Sequence, residues 1–504
     1  MKVLSNGGCL KHCLPSPATA DSSAWTGALD VLHHLTNLPW WTRVWVLQEA
    51  ILPQRNVLAI YGEIVAPIGL IEDSGAILPR HHERGVCCKP FWNSLPPAQQ
   101  HVLEAFAEKM SQLESIRETL ALTTDEQLNR LHFLLENTRF KEATDPRDKV
   151  YGLLGLLNGS SNPVDGLIPD YQLPVADLYV SVAMKFIHHH LNLSILVNNE
   201  PKTAGNGPPN IPSWVPHWGP TYGPFTSNLL SQRLSKFIAW PSGVGPMPAL
   251  VPDSHVLAVR AKFISRVVAV TEAVVKEQHA DTLGFLLSTL EFFFGLDTVG
   301  SEEAPYPFKP KYASTQESVS MAFARTMMGD LFYSIDHIYK TGRITFDRAY
   351  EGDANMFRFA HRVMLADVLG GPKPVLIMPD GIEFPEKGIA HIIQTAEENF
   401  WYANEGKVFF RTEHGHFGSG PHDTSKGDEV HVVFGSSVPL VLRRLDGAGN
   451  RGLVPSEVEE TDCRTLVGHA YVHGIMDGED APVAADAAEP EVGCDDGAVQ
   501  VYLV

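Results

Sequence analysis

Cysteine is scarce in this chain: six residues in 504, at positions 9, 13, 87, 88, 463 and 494, with no CxxC pair and no zinc-like spacing. So few thiols exclude a disulfide framework and predict a reduced, cytoplasmic setting. Long apolar runs are also missing. The most apolar helical window, residues 282–296, is too short for a bilayer and carries Glu291. The N-terminal MKVLSNGGCLKHCLP has no apolar core for a signal peptide, so the sequons at Asn158 and Asn192 read as chance matches. Positive charge is in deficit, with 39 Lys and Arg against 59 Asp and Glu and a net charge of −20. Phosphate backbones and anionic lipid are repelled by such a chain, so no nucleic acid and no acidic membrane surface is expected as a partner, just as the short apolar runs predict no membrane span. No phosphate loop, GxSxG elbow, HExxH or EF-hand loop occurs. One GxGxxG stands at residues 447–452, but Leu453-Val454-Pro455 follows it where a dinucleotide site needs a helix start, so it reads as a hairpin loop.

What is present is enough apolar matter to fold: 44% hydrophobic residues, 24 Phe and 9 Trp. The patterning predicts an α+β fold, with helical N-terminal and middle regions and a small β-rich C-terminal region of barrel or sandwich type. Residues 30–51 read as two short helices broken at Pro39, and residues 56–61 as a strand ending at Gly62. Residues 98–122 place Leu103, Phe106, Met110 and Leu113 at helical steps. Thr124 and Gln127 form a capping box for the next helix. In ATDPRDKVYGLLGL, residues 143–156, Asp145 stands as N-cap, Pro146 at the first helical position and Asp148 at the third. Further helices are predicted from Pro174 to the triplet His188-His189-His190, over 282–296, over 318–335 and over 385–401. Strands are predicted over 256–270, 407–412, 429–434, 439–445 and 465–472. Residues 477–496 are acidic, while Val499, Val501, Tyr502 and Leu503 are able to add a strand to the β-rich end.

The candidate polar constellations each carry a plain structural alternative. Arg43, Gln48 and Glu49 beside Trp40, Trp41 and Trp45 would bracket a ligand or, more simply, satisfy one another while the indoles fill a core that buries Trp45. Asp145, Arg147 and Asp148 read as a cap and ion pair. Glu413, His414, His416 and His422 in a Gly-rich turn would need to converge to hold a cation or act as a hydrolase site. His188–His190 suit a helix C-terminus, and His469 and His473 read as same-face neighbours at the surface or in hydrogen bonds. No metal and no cofactor are expected.

Several segments, in order, resemble the fungal heterokaryon-incompatibility (HET) domain proteins. Trp41-Thr42-Arg43-Val44-Trp45-Val46-Leu47-Gln48-Glu49 is similar to that family's W-x-R-x-W-x-x-Q-E block, and ATDPRDKVYGLLGL to its second block, followed by Asp170-Tyr171. Pro212-Ser213-Trp214-Val215-Pro216-His217-Trp218 resembles P-S-W-V-P-x-W. Phe409-Phe410-Arg411-Thr412, Gly418, Gly420-Pro421, Gly427-Asp428, Leu442-Arg443 and the stretch from Val467 through Tyr471 and Gly474 to Glu479 resemble its C-terminal region. The family's S-Y-x-W-G and C-I-N-Q segments have no counterpart here. The resemblance therefore implies residues 1–35 as a non-matching segment, 36–200 as the second half of a HET domain with following helices, and 201–224 as a Pro-rich connection. It continues with 225–405 as a mixed middle region, 406–476 as the β-rich region and 477–504 as an acidic tail. It implies non-self recognition leading to programmed cell death after hyphal fusion, here by a truncated, non-catalytic or regulatory member that binds another protein. The alternatives are an NAD-cleaving enzyme of Toll/interleukin-receptor type and a His/Glu-dependent hydrolase.

Overall fold

The structure, a computed structural model, describes residues 23–53, 57–62, 64–82, 89–122, 127–157, 166–197, 210–219, 234–240, 248–275, 288–289, 292–293, 312, 315–333, 346–369, 386–445, 455–478 and 498–504. The 447–452 loop, Thr124 with its capping box, most of 282–296, the acidic stretch 479–497 and every cysteine except Cys463 lie outside the described residues. The chain divides into two compact units, residues 1–175 with 218–228 and residues 176–217 with 229–504.

The first unit is mainly helical. Helix α1 (Ser23–Thr36) leads to a 3-10 turn at Pro39–Thr42 and then to α2 (Val46–Ile51). The chain breaks at Pro39 because proline has no N–H to continue a helix. Strands β1 (Leu58–Tyr61) and β2 (Ile64–Pro67) form an antiparallel hairpin. Helices α3 (Ile68–His82), α4 (Lys89–Ser94), α5 (Pro97–Leu122), α6 (Gln127–Asn137) and α7 (Asp148–Leu154) follow. The stripe Leu103, Phe106, Met110 and Leu113 on α5 is buried, and α5 packs on α1, α2 and α3.

The second unit starts with α8 (Val175–His190) and α9 (Ser194–Val197). Strands β3 (Ala249–Leu250) and β4 (Leu257–Val270) come next, then α10 (Val319–Met328). The helix predicted to reach residue 335 stops early. Gly329 takes φ 58° and Asp330 φ 51°, and their N–H groups close on the carbonyls of Arg325 and Thr326, so the helix ends in a left-handed cap. Leu331–Tyr333 is instead strand β5, paired with β6 (Phe346–Arg348). Helices α11 (Glu351–Leu369) and α12 (Glu386–Asn404) pack with α10 around Phe293, Phe323, Phe357, Phe400 and Phe409. Among the described residues no helix is long and apolar enough to cross a membrane.

The β-rich end consists of β7 (Lys407–Thr412), β8 (Phe417–Pro421), β9 (Glu429–Val433), β10 (Leu440–Arg444), β11 (Cys463–His469), β12 (Tyr471–Val472) and β13 (Ala498–Leu503). Of the barrel and the sandwich, the pairing selects the barrel. Strand β4 pairs with β13, β13 with β11, β11 with β10, β10 with β9, and β9 returns to β4. The end of β4 then pairs with β7, and β7 continues to β8 and β12. Register shifts after Phe263 and Val267 mark bulges, which bend β4 so that one strand serves both sheets. The apolar end of the tail is thus part of the ring.

The Phe-Phe-Arg-Thr and glycine motifs have a packing origin. Phe410 pairs with Gly418 across β7 and β8, and its buried ring covers Gly418 and Gly420. A Cβ at Gly418 would stand 2.3 Å from that ring, and one at Gly420 would stand 3.1 Å from it. Gly418→Ala is expected to destabilise the chain by about 1–3 kcal/mol, the usual cost of overpacking. Gly418→Ala combined with Phe410→Leu should recover part of this loss. Urea midpoints check it, and an unchanged midpoint for Gly418→Ala would show that the ring is free to move aside.

Candidate functional site

Three segments distant in sequence meet in the first unit. Trp45 donates its indole N–H to Asp148 Oδ2 at 3.0 Å, and Tyr171 donates its hydroxyl to Oδ1 of the same carboxylate at 2.7 Å. Gln48 donates Nε2 to the Gly152 carbonyl at 2.8 Å and lies so near Gly155 that a Cβ there would stand 2.6 Å from its amide oxygen. Arg147 pairs with Asp145 at 2.8 Å, donates to the carbonyls of Tyr171 and Leu173, and lies over the Tyr171 ring at 5.4 Å. The Arg147 hydrogen bond holds the Asp145 carboxyl below its ordinary range, and the bond to Asp148 pushes the Tyr171 hydroxyl up to about 12. These residues form a joint between the tryptophan block, α7 and the Asp170-Tyr171 segment.

Three expectations change here. Asp145 does not cap the α-helix: its Oδ1 accepts from Arg147 N and Nε in a turn that precedes Asp148, where α7 begins. Glu49 accepts from the Trp40 indole at 2.9 Å and does not pair with Arg43, whose side chain is exposed. Trp45 is half-buried, because its N–H edge has to reach the partly exposed Asp148, whereas Trp41 is buried and donates to the Leu35 carbonyl at 2.6 Å.

The C-terminal motifs form a second cluster, within the second unit. Tyr471 donates its hydroxyl to His473 Nδ1 at 2.8 Å, and His473 Nε2–H donates to the Glu317 carboxylate. Burial alone would raise the Glu317 carboxyl. The bond from His473 and the charge of Arg325 override it and hold the group below its ordinary range. Arg325 links Glu317 to Asp330, and Arg348 links Asp330 to Asp477. Gly474 turns the chain beside this cluster with φ 84°. The order hydroxyl, imidazole, carboxylate is that of an activated nucleophile, but Tyr471 is buried and burial pushes its hydroxyl well up, so the relay serves as an internal strut. His469 and His473 are both buried, which removes the surface reading for them.

The remaining candidates are dispersed. Trp214 is buried and donates to the His255 carbonyl at 2.9 Å, while the Ser213 hydroxyl donates to the Val504 carbonyl and accepts from Leu466 N at 2.8 Å. Trp218 is buried in the first unit with φ 44°. Arg411 lies over Phe292 at 5.2 Å. Arg443 clamps Asp428 at 2.8 and 2.9 Å, which accounts for the Gly-Asp and Leu-Arg motifs. His414 and His416 do not converge: their rings stand 6.5 Å apart at 90°, one held by the Ile264 carbonyl and the other by the Thr412 hydroxyl. Glu413 is exposed, and His422 pairs with Asp423. Among the described residues no three His, Cys, Asp or Glu side chains gather as metal ligands. Sequence reasoning missed Glu317, Arg325, Asp330 and Arg348, whose isolated charges carry no local signal.

Comparison with known proteins places these motifs. The Het-6 β-barrel domain model matches residues 389–488, which span α12 and β7 to β12. β4 and β13, which close the ring, fall outside that match. The chain is 28% identical over 370 residues to heterokaryon incompatibility protein 6, OR allele, of Neurospora crassa, covering 69% of this chain. It spans about half the length of that curated relative, at 50%. No solved structure matches. Both matches are thus to heterokaryon-incompatibility proteins, one over the β-rich end and one over 370 residues.

Two buried lysines stiffen the first unit beside the tryptophan block. Lys141 Nζ donates to the Trp41 carbonyl at 2.6 Å, and Lys149 Nζ donates to the carbonyls of Arg139 and Lys141. Burial lowers both ammonium groups to about 8 from 10.5. Between those values the unfolded chain holds more protons than the folded one, so stability rises with pH from about 8 to 10.5. Each shift corresponds to ~3 kcal/mol. Urea midpoints at pH 7.5 and pH 10 should therefore rise more in the wild type than in Lys141→Met or Lys149→Met. Parallel pH dependence in all three would contradict the buried ammonium assignment.

Proposed function

We propose that this chain takes part in fungal non-self recognition and that it acts by binding another protein, not by catalysis. The similarity to heterokaryon incompatibility protein 6 supports the first part. The second rests on one observation, an apolar surface on the hairpin that follows the tryptophan block in sequence. In the β1–β2 hairpin Leu58, Ile60 and Val65 are 55%, 70% and 57% exposed. Ile60 pairs directly with Val65, and Leu58 with Pro67, so period-two alternation puts all four on one face. Three large aliphatic side chains gathered on one hairpin face are costly to leave in water, and contiguous exposed patches of this kind mark protein contact sites. The occupant is an apolar segment of a second protein whose own fold supplies polar edges, since the hairpin face offers no charge to pair. Recognition of unlike cells requires a surface that reads another macromolecule.

Ile60→Asp with Val65→Asp is the test. In a strain whose incompatibility reaction depends on this gene, the double variant should abolish the reaction while its unfolding free energy stays within about 0.5 kcal/mol of wild type, as exposed substitutions do. Retention of the reaction by the variant would count against the hairpin. Chain-dependent release of nicotinamide from NAD by the purified wild type would count against binding as the mode of action.

A further inference from the structure

The mouth of the closed ring holds a cavity of about 170 Å³ that all five ring strands line. Its polar wall is Arg266 from β4, Glu429 and His431 from β9, Arg444 from β10, Arg464 from β11 and Asp462 just before β11, three guanidinium groups against two carboxylates; β13 adds residues 499–501. Glu429 is buried, and Arg444 Nε and Arg464 Nε reach its two oxygens at 2.7 and 2.9 Å. Arg266 approaches at 3.3 Å and is stacked over Phe263 at 5.7 Å. One guanidinium is enough to compensate one buried carboxylate, yet three converge. Arg464 spends Nη1 on the carbonyls of Thr461 and Cys463. Arg444 is pinned by Nε alone, with its side chain 55% exposed, and Arg266 is 42% exposed. Glu429 thus takes Nε and Nη2 of Arg266 but only Nε of Arg444, which leaves Nη1 of Arg266 and both terminal nitrogens of Arg444 for a ligand, on a chain whose net charge is −20. His431 lines the same wall, and its buried Nδ1 has no hydrogen-bond partner among the described residues.

We propose that this barrel mouth is a binding site for a small oxyanion, a phosphate or a carboxylate group, gripped by Arg266 and Arg444 with Glu429 and Arg464 as their support. The excess of guanidinium over carboxylate supplies the attraction, and the cavity admits a small group and excludes a folded surface. The site is separate from the hairpin and does not depend on that function.

Isothermal titration of the full chain with inorganic phosphate, and separately with acetate, at constant ionic strength in chloride tests this. Saturable heat with either ion is expected, and the ion that binds more tightly identifies the group. Arg444→Gln should weaken binding at least about tenfold, or 1.4 kcal/mol. Arg444→Lys keeps the charge beside Glu429 and should also weaken it, by removing the fork. Arg443→Gln, on the same strand but bonded to Asp428, should leave it unchanged. No saturable binding of either ion to the wild type, or equal losses in the Arg443 and Arg444 variants, would overturn the proposal.

Discussion

The β-rich end depends on one strand. β4 pairs with β3, β13, β9 and β7, so it is the element through which the ring closes and the second sheet is attached. A strand with that many partners has to bend, and its two bulges provide the bend without losing the ladder on either side. Closure removes exposed sheet edges, which are sites of unwanted pairing. It also places Glu429, Arg444 and Arg464 from three different strands around one point, which an open sheet with its natural twist would spread apart.

Polar groups inside this fold act mainly as joints. Asp148 joins Trp45 to Tyr171, Ser213 joins Val504 to Leu466, and Glu317, Asp330 and Asp477 join α10, the β5–β6 hairpin and the turn after β12. Each connects segments that no hydrophobic contact alone would fix in register, and each is costly to leave half made. Motifs that look like active sites in sequence thus become internal fastenings. The two surfaces proposed to bind other molecules use plainer residues: aliphatic side chains on a hairpin and arginines at a barrel mouth.

Legibility in the sequence followed the range of the cause. The α5 stripe, the break at Pro39 and the strands at 407–412 and 257–270 depend on neighbours within one or two turns, and periodicity reveals them. The end of α10 at Gly329 was missed because helical spacing of the apolar residues continues past it, while the left-handed cap outweighs it. Closure of the barrel was beyond reach from spacing alone, since β4 and β13 are supplied from distant parts of the chain. Of the candidate site, the tryptophan block stood out by composition and Tyr471 by the resemblance of its segment to the HET-domain proteins. Arg266, Glu429 and Arg444 did not, because a charged residue in a strand looks the same whether it faces water or a cavity.

Amide hydrogen exchange on the full chain, followed by mass spectrometry, tests the closed ring most directly. If β4 and β13 complete it, their amides exchange together with those of β9, β10 and β11, in one slow cooperative class. Deleting residues 498–504 would then release protection in β4 and β11 as well. Fast exchange of β13 in the intact chain, with β9, β10 and β11 still protected, would contradict the ring and with it the cavity at its mouth.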